Sequence, residues 1–297
     1  MIKLKGKSMP KKNTLKMILI VISVLLLFIS CSKKNETEKN GKDLNIEENN
    51  QRTILISELK EKNSVSYEKG KPYPFTGKAI YYNSDSVITV IKQYKNGFLN
   101  GKLIHRFGDG SKQFEIDFRN GKKHGMLLEW NQEGTLITSE HWVNGIIDGI
   151  VETWWGNGQK QSVGTYVMGI RFNKLELWYE NGQKKGEETY KNDKKHGFRI
   201  AWYENGQMKE KGEFIEDIVH GTVYGWWENG NMQYEAKYNH GKKDGKFVNW
   251  YSDGKLKLEE NYKEDVKHGR FIKWDKEGKV IEEKYFENGK EIEKKES

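Results

Sequence analysis

Four of the seven histidines, His124, His196, His220 and His268, stand directly before a glycine, at separations that are multiples of 24. Imidazoles so placed could hold a metal ion. Equivalent residues two strands apart would lie about 9.6 Å from each other. Zinc–nitrogen bonds are about 2.1 Å, so ligating nitrogens must approach within about 4 Å. The four therefore read as turn histidines on an exposed edge, and no metal is expected. The lysine pairs Lys122-Lys123, Lys184-Lys185, Lys194-Lys195 and Lys242-Lys243 could meet anionic lipid or nucleic acid. Nearby acids cancel most of that charge, so they read as a solvated edge, with no nucleic-acid partner. Glu180, Glu204 and Glu228 recur at one turn position and read as solvated carboxylates rather than an acid–base pair. No Gly-x-Ser-x-Gly occurs, and Gly97-x₃-Gly101-Lys102 is one residue short of a phosphate loop. The single cysteine, Cys31, excludes internal disulfides, a Cys-rich zinc site and a Cys redox pair. The residues thus point to a non-enzymatic protein with no cofactor, and a small-molecule ligand is not expected.

The elements that carry these residues repeat. Units of 24 residues start at Gly77, Gly101, Gly125, Gly149, Asn173, Gly197, Gly221, Gly245 and Gly269. A second glycine follows nine residues after each start except the first, where Ser86 stands. Five residues after the starts come Tyr82, Arg106, Trp130, Trp154, Trp178, Trp202, Trp226, Trp250 and Trp274. A fixed period of this length means an array of small units, and it directs attention to an extended surface rather than to one pocket.

In Gly197–His220, two runs of strand character flank Glu204-Asn205-Gly206. Asn-Gly is a strong hairpin signal because both residues accept positive φ. No proline follows Pro74, as strands require. The fold class is therefore all-β: tandem 24-residue hairpins in one elongated, twisted antiparallel sheet of eighteen repeat strands. With each start numbered 0, position 17 is aromatic in all nine units, from Tyr94 to Phe286. A three-residue loop would put positions 3, 5, 11 and 17 on one face, and the sequence is read so. Position 6 adds Phe107, Trp155, Tyr179, Tyr203, Trp227 and Tyr251. One sheet layer cannot cover both of its own faces, so some rings should remain available to a partner. The candidates are Trp130, Trp154, Trp155, Trp178, Tyr179, Trp202, Tyr203, Trp226, Trp227, Trp250, Tyr251 and Trp274.

The net charge of +8 has a local origin. Six lysines and no acid lie in Met1–Ser30, and the remainder holds 45 basic and 43 acidic residues. Met17–Ile29 is a run of thirteen uncharged residues, short of the ~20 that a spanning helix needs. It ends in Phe28-Ile29-Ser30-Cys31, which resembles the lipobox of bacterial lipoproteins. The resemblance implies a signal peptide over residues 1–30, cleavage before Cys31 and a lipid on its sulfur. Residues 31–52 then form a polar tether, residues 53–76 an irregular cap on the first sheet edge, residues 77–292 the nine repeats, and residues 293–297 a charged tail.

The units Trp178-Tyr179-Glu180-Asn181-Gly182-Gln183 and Trp202-Tyr203-Glu204-Asn205-Gly206-Gln207 resemble the MORN-repeat variant of bacterial proteins, as do the turns Asn120-Gly121-Lys122-Lys123-His124-Gly125 and His240-Gly241-Lys242-Lys243-Asp244-Gly245. Similar arrays are named YwqK-like antitoxins. The resemblance implies tandem hairpins and no reaction. Asn173, Arg106, Asp193, Asp217 and Asp265 depart from its glycine and tryptophan positions. The expected protein is a lipid-anchored lipoprotein of the bacterial envelope, in the outer membrane if the cell has one and not cytoplasmic, whose sheet binds a protein partner. The alternative is an immunity protein that neutralises a toxin by direct binding.

Overall fold

The local geometry of each unit is set by two kinds of turn. In the computed structural model, which describes residues 52–293, Tyr203 N–H donates to Gln207 O at 2.8 Å and Gly206 N–H donates to Tyr203 O at 3.0 Å. Residues 204–206 thus form a three-residue loop, and Gly206 supplies its left-handed residue at φ 84°. The second turn has two residues. Arg119 pairs with Lys122, and Asn120 and Gly121 between them both have positive φ, 49° and 77°. Two left-handed residues in a row match the right-handed twist of the flanking strands.

Strands joined by these turns run in chain order through one 21-stranded sheet. Neighbours are antiparallel throughout the array, as in Lys194–Trp202 against Met208–Ile215. The ninth unit splits its first strand into Val266–Lys267 and Gly269–Trp274. Lys290–Ile292 forms the last strand and pairs with the end of Val280–Glu287. At the other edge Thr53–Leu55 lies parallel to Gly77–Tyr82. That first strand ends at Leu55, because Ile56–Glu58 forms a 3₁₀ turn and Leu59–Lys62 pairs with Val65–Glu68 in a separate hairpin.

One expectation about the faces is overturned. Trp202 pairs with Met208, but Ala201 pairs with Glu210, so Lys209 is an extra residue in the second strand. The same bulge recurs in every unit, for example at Glu129/Trp130 and Gly225/Trp226. A bulge moves every later side chain of its strand to the other face. Positions 3, 5 and 11 share one side, here called the tryptophan face. Position 17 lies on the opposite side, where Phe214 pairs with Gly197 and Tyr190 with Lys195.

Burial is thin. The buried apolar residues include Ile116, Ala236, Leu127 and Val223 on the opposite face and Val248 and Ile272 on the tryptophan face. No large side chain among the described residues is fully buried. Among the described residues the compact cluster is Ile54, Phe75 and Ala79, at the first edge, where the Phe75 ring meets Tyr94 edge-on at 5.8 Å. Stability therefore accumulates along the ladder, unit by unit.

The edges add to it. Gly121 N–H donates to Leu99 O, Gly145 N–H to Lys123 O and Gly241 N–H to Val219 O, at 2.8, 2.8 and 2.9 Å. Each bond joins a turn to a strand two places away. A flat sheet would hold such groups about 9.6 Å apart, so the bulged strands must bend to bring these turns together.

Candidate interaction surface

The seven position-5 tryptophans, Trp130, Trp154, Trp178, Trp202, Trp226, Trp250 and Trp274, end their first strands in one column, and all are half-buried. Lys112 lies 5.2 Å from the Trp130 ring centroid and Lys184 lies 5.5 Å from that of Trp202. Between tryptophan columns the face is ionic. Lys174 and Lys184 each bridge Glu176 and Glu187, at 2.7–3.2 Å. The Lys184 hydrogen bond, together with Lys174, holds the Glu176 carboxyl below its usual range against the effect of burial.

Position-6 rings do a different job. Trp155 Nε1 donates to Trp178 O at 3.2 Å, Tyr179 Oη to Trp202 O at 2.9 Å and Tyr203 Oη to Trp226 O at 2.9 Å. Trp227 Nε1 reaches Trp250 O at 3.3 Å and Tyr251 Oη reaches Trp274 O at 2.9 Å. Beside them, Asn157, Asn181 and Asn205 donate through Nδ2 to Glu180 O, Glu204 O and Glu228 O. The bulge residue then covers the tyrosine rings: Lys185 on Tyr179, Lys209 on Tyr203 and Lys257 on Tyr251, each 5.2–5.6 Å from the centroid. These aromatics bind each unit to the next, and cations of the same chain cover several of their π faces.

On the opposite face the position-17 rings pack under lysine and arginine: Lys123 on Trp142, Arg171 on Tyr190 and Lys243 on Tyr262. The ring donors find carboxylates, as in Tyr190 to Glu188 at 2.5 Å and Tyr262 to Glu260 at 2.9 Å. Burial, and then Glu188, push the Tyr190 phenol up to about 12. Arg199 bridges Glu188 and Glu210, and Tyr234 donates to Glu210 at 2.8 Å.

The three-residue loop and its bulge recur through the second half of the array. Five consecutive segments, residues 174–192, 195–216, 219–240, 243–264 and 267–290, match the family model of the MORN repeat variant. These five units are thus similar to the MORN repeat variant. The hairpins upstream of the MORN repeats carry the same loop, two-residue turn and bulge. No curated protein matches the chain.

The departures from the MORN pattern have local explanations. Asp193, Asp217 and Asp265 hold φ of 63°, 69° and 70° in place of glycine. Their carboxylates accept the N–H of Arg171, Lys195 and Lys243 at 2.7–2.8 Å, which offsets the left-handed strain. Asn173 keeps a positive φ of 66° at its repeat start. Arg106 reaches Gly110 O at 2.9 Å, within its own loop.

The histidines are not where the sequence places them. His124, His196 and His220 lie within strands and are half-buried, and only His268 is exposed. The register shifts around each repeat glycine, and His124 and His196 fall in the shifted stretch with no ladder partner, whereas His220 pairs with Glu213. Nδ1 of His124 and of His196 is buried without a hydrogen-bond partner. Among the described residues, no three metal-binding side chains are grouped to hold an ion. Glu180, Glu204 and Glu228 are exposed at loop tips.

The exposed apolar residues form another set. Met168 is 69 % exposed, Phe198 52 % and Ile146 47 %, and Phe98, Met126, Ile150, Ile170 and Ile218 are also open. Met168 sits in a two-residue turn, five residues before Asn173, and the others occupy position 1 or the residue three before a start, along the turn edge of the tryptophan face. Lys122, Lys174, Lys194 and Lys242 interrupt them in sequence. That mixture hid the column, because neither position has a consistent residue type. Cys31 and the apolar run Met17–Ile29 lie outside the described residues.

Proposed function

We propose that this protein is a non-enzymatic, lipid-anchored scaffold of the bacterial envelope, whose repeat sheet binds a protein partner. The observation that carries the reading is the open turn-edge column of Phe98, Met126, Ile146, Ile150, Met168, Ile170, Phe198 and Ile218 on a one-layer sheet. Extended apolar surface of this kind marks interaction sites. The lipobox-like Phe28-Ile29-Ser30-Cys31 supplies the anchor, with two or more acyl chains needed for stable attachment. Cys31→Ser tests the anchor: the variant should leave the membrane fraction, and unchanged membrane association defeats it. Ile146→Ser with Met168→Ser tests the surface by loss of a crosslinked partner from intact cells. Retention of every crosslink rejects it. In the toxin-neutralising form of this reading, the partner is a toxin and the sheet rescues growth on co-expression.

A further inference from the structure

A second feature lies at the turn edge of the last three hairpins. A shallow groove of about 560 Å³ is lined by His220, Lys237, Asn239, Asp244, Lys263 and His268, with main chain bare at Gly221 and Gly245. We propose that this groove binds a small oxyanion, a carboxylate or phosphate group. The proposal is independent of the scaffold reading.

The charges favour it. Three neighbouring lysines are matched to acids, Lys242 to Glu264 at 3.6 Å, Lys246 to Glu259 at 2.9 Å and Lys267 to Glu260 at 2.9 Å, and Lys243 lies over the Tyr262 ring. Lys237 and Lys263 have no such partner among the described residues. Two lysines against the single carboxylate of Asp244 leave the recess with a net positive charge, which attracts an anion. The one carboxylate of the lining, Asp244, already accepts Asn239 Nδ2 at 3.4 Å.

The donors favour it too. His220 Nδ1 accepts the His240 N–H at 3.5 Å, so a neutral His220 carries its proton on Nε2 as a donor. His268 and Asn239 add further N–H groups. Lys237 Cδ lies 2.9 Å from where a side chain on residue 245 would begin, so Gly245 is what lets the lysine stem lie across the groove. Position 16 is lysine in this unit alone of the nine. In an array whose units otherwise share their contacts, a local cluster of unneutralised cations is a departure that stacking does not require.

The full chain is titrated with sodium phosphate, sodium acetate or sodium chloride at matched ionic strength, following the amide resonances of Asn239 and Gly245. Saturable shifts are expected with phosphate, acetate or both, and the arm that saturates identifies the oxyanion. Lys237→Met and Lys263→Met should each weaken binding about five-fold or more, the loss of one charge-assisted contact. Lys246→Met, on the same face but ion-paired, should leave it unchanged. Absence of saturation with both oxyanions, an equal response to chloride, or unaltered binding in both groove variants overturns the site.

Discussion

The phenol of Tyr203 donates to the main-chain carbonyl of Trp226, 23 residues later, at 2.9 Å. The bond joins the loop end of one hairpin to the corresponding strand end of the next. A MORN-type unit thus holds its neighbour through a side chain as well as through the ladder. Tyr203→Phe should lower the stability of the array by about 1 kcal/mol, the usual net value of one such bond. Urea unfolding followed by tryptophan fluorescence measures it. Tyr179→Phe and Tyr203→Phe share the Trp202–Tyr203 unit, so their combination should depart from simple addition.

Asp217 separates two contributions in one residue. Its φ of 69° calls for a residue tolerant of left-handed backbone, and its carboxylate accepts Lys195 N–H at 2.8 Å. Asp217→Asn keeps both features and should be near neutral. Asp217→Gly keeps only the backbone freedom. Asp217→Ala keeps neither and should lose about 1–2 kcal/mol. Thermal unfolding that ranks alanine above glycine would reject this account.

Gly225 is a steric case. A methyl group there would lie 2.1 Å from Tyr234 Cε1. The Tyr234 phenol is pinned by Glu210 at 2.8 Å, so the ring has little freedom to yield. Gly225→Ala should cost about 1–3 kcal/mol through overpacking. At Gly134 nothing lies within 4 Å and only the positive φ of 80° resists substitution. Gly134→Ala should therefore be the milder change, as differential scanning calorimetry would show.

His105 gives the protein a pH dependence of definite sign. Burial, and then the Lys92 charge, disfavour its imidazolium and hold it below the ordinary range. Its ring stacks on Phe114 at 4.4 Å. The unfolded chain therefore takes up this proton first. Stability is complete above the ordinary imidazole value of about 6.5 and falls as pH drops through it. Melting temperature should decline from pH 7.5 to pH 5.5, and His105→Asn should flatten that slope. A second loss should follow in stronger acid at Glu188. Burial alone would raise that carboxyl, but Tyr190, Lys195 and Arg199 hold it below its usual range.

The 24-residue period, the hairpins and the three-residue loop were legible because glycine and asparagine mark positive φ directly. The face of the position-17 rings was not. It depends on the extra residue at position 12, which is threonine, glutamine, isoleucine or lysine in different units and carries no bulge signature. Within the MORN units, lysine at position 12 accompanies tyrosine at position 6, as in Lys185 with Tyr179, whereas Gln233 accompanies Trp227. The cation–ring contact explains the tyrosine pairs. The polar ends of Trp155, Tyr179 and Tyr203 were also hidden, because their acceptors are main-chain carbonyls that every residue possesses. Asp193, Asp217 and Asp265 depart from the glycine pattern in the sequence, and only their bonds to the adjacent hairpin explain them.

The turn bonds also bear on how the chain ages. In a free peptide, the glycine nitrogen of Asn-Gly attacks the asparagine carboxamide, expels ammonia and leaves a succinimide. Here Gly121, Gly145 and Gly206 have that nitrogen's hydrogen committed to Leu99 O, Lys123 O and Tyr203 O. Asn205 has its amide engaged as well, with Glu228 O. A molecule studded with the most deamidation-prone dipeptide is thereby shielded for as long as its hairpins stay shut, and any aspartate or isoaspartate found at these sites would record which hairpin had opened.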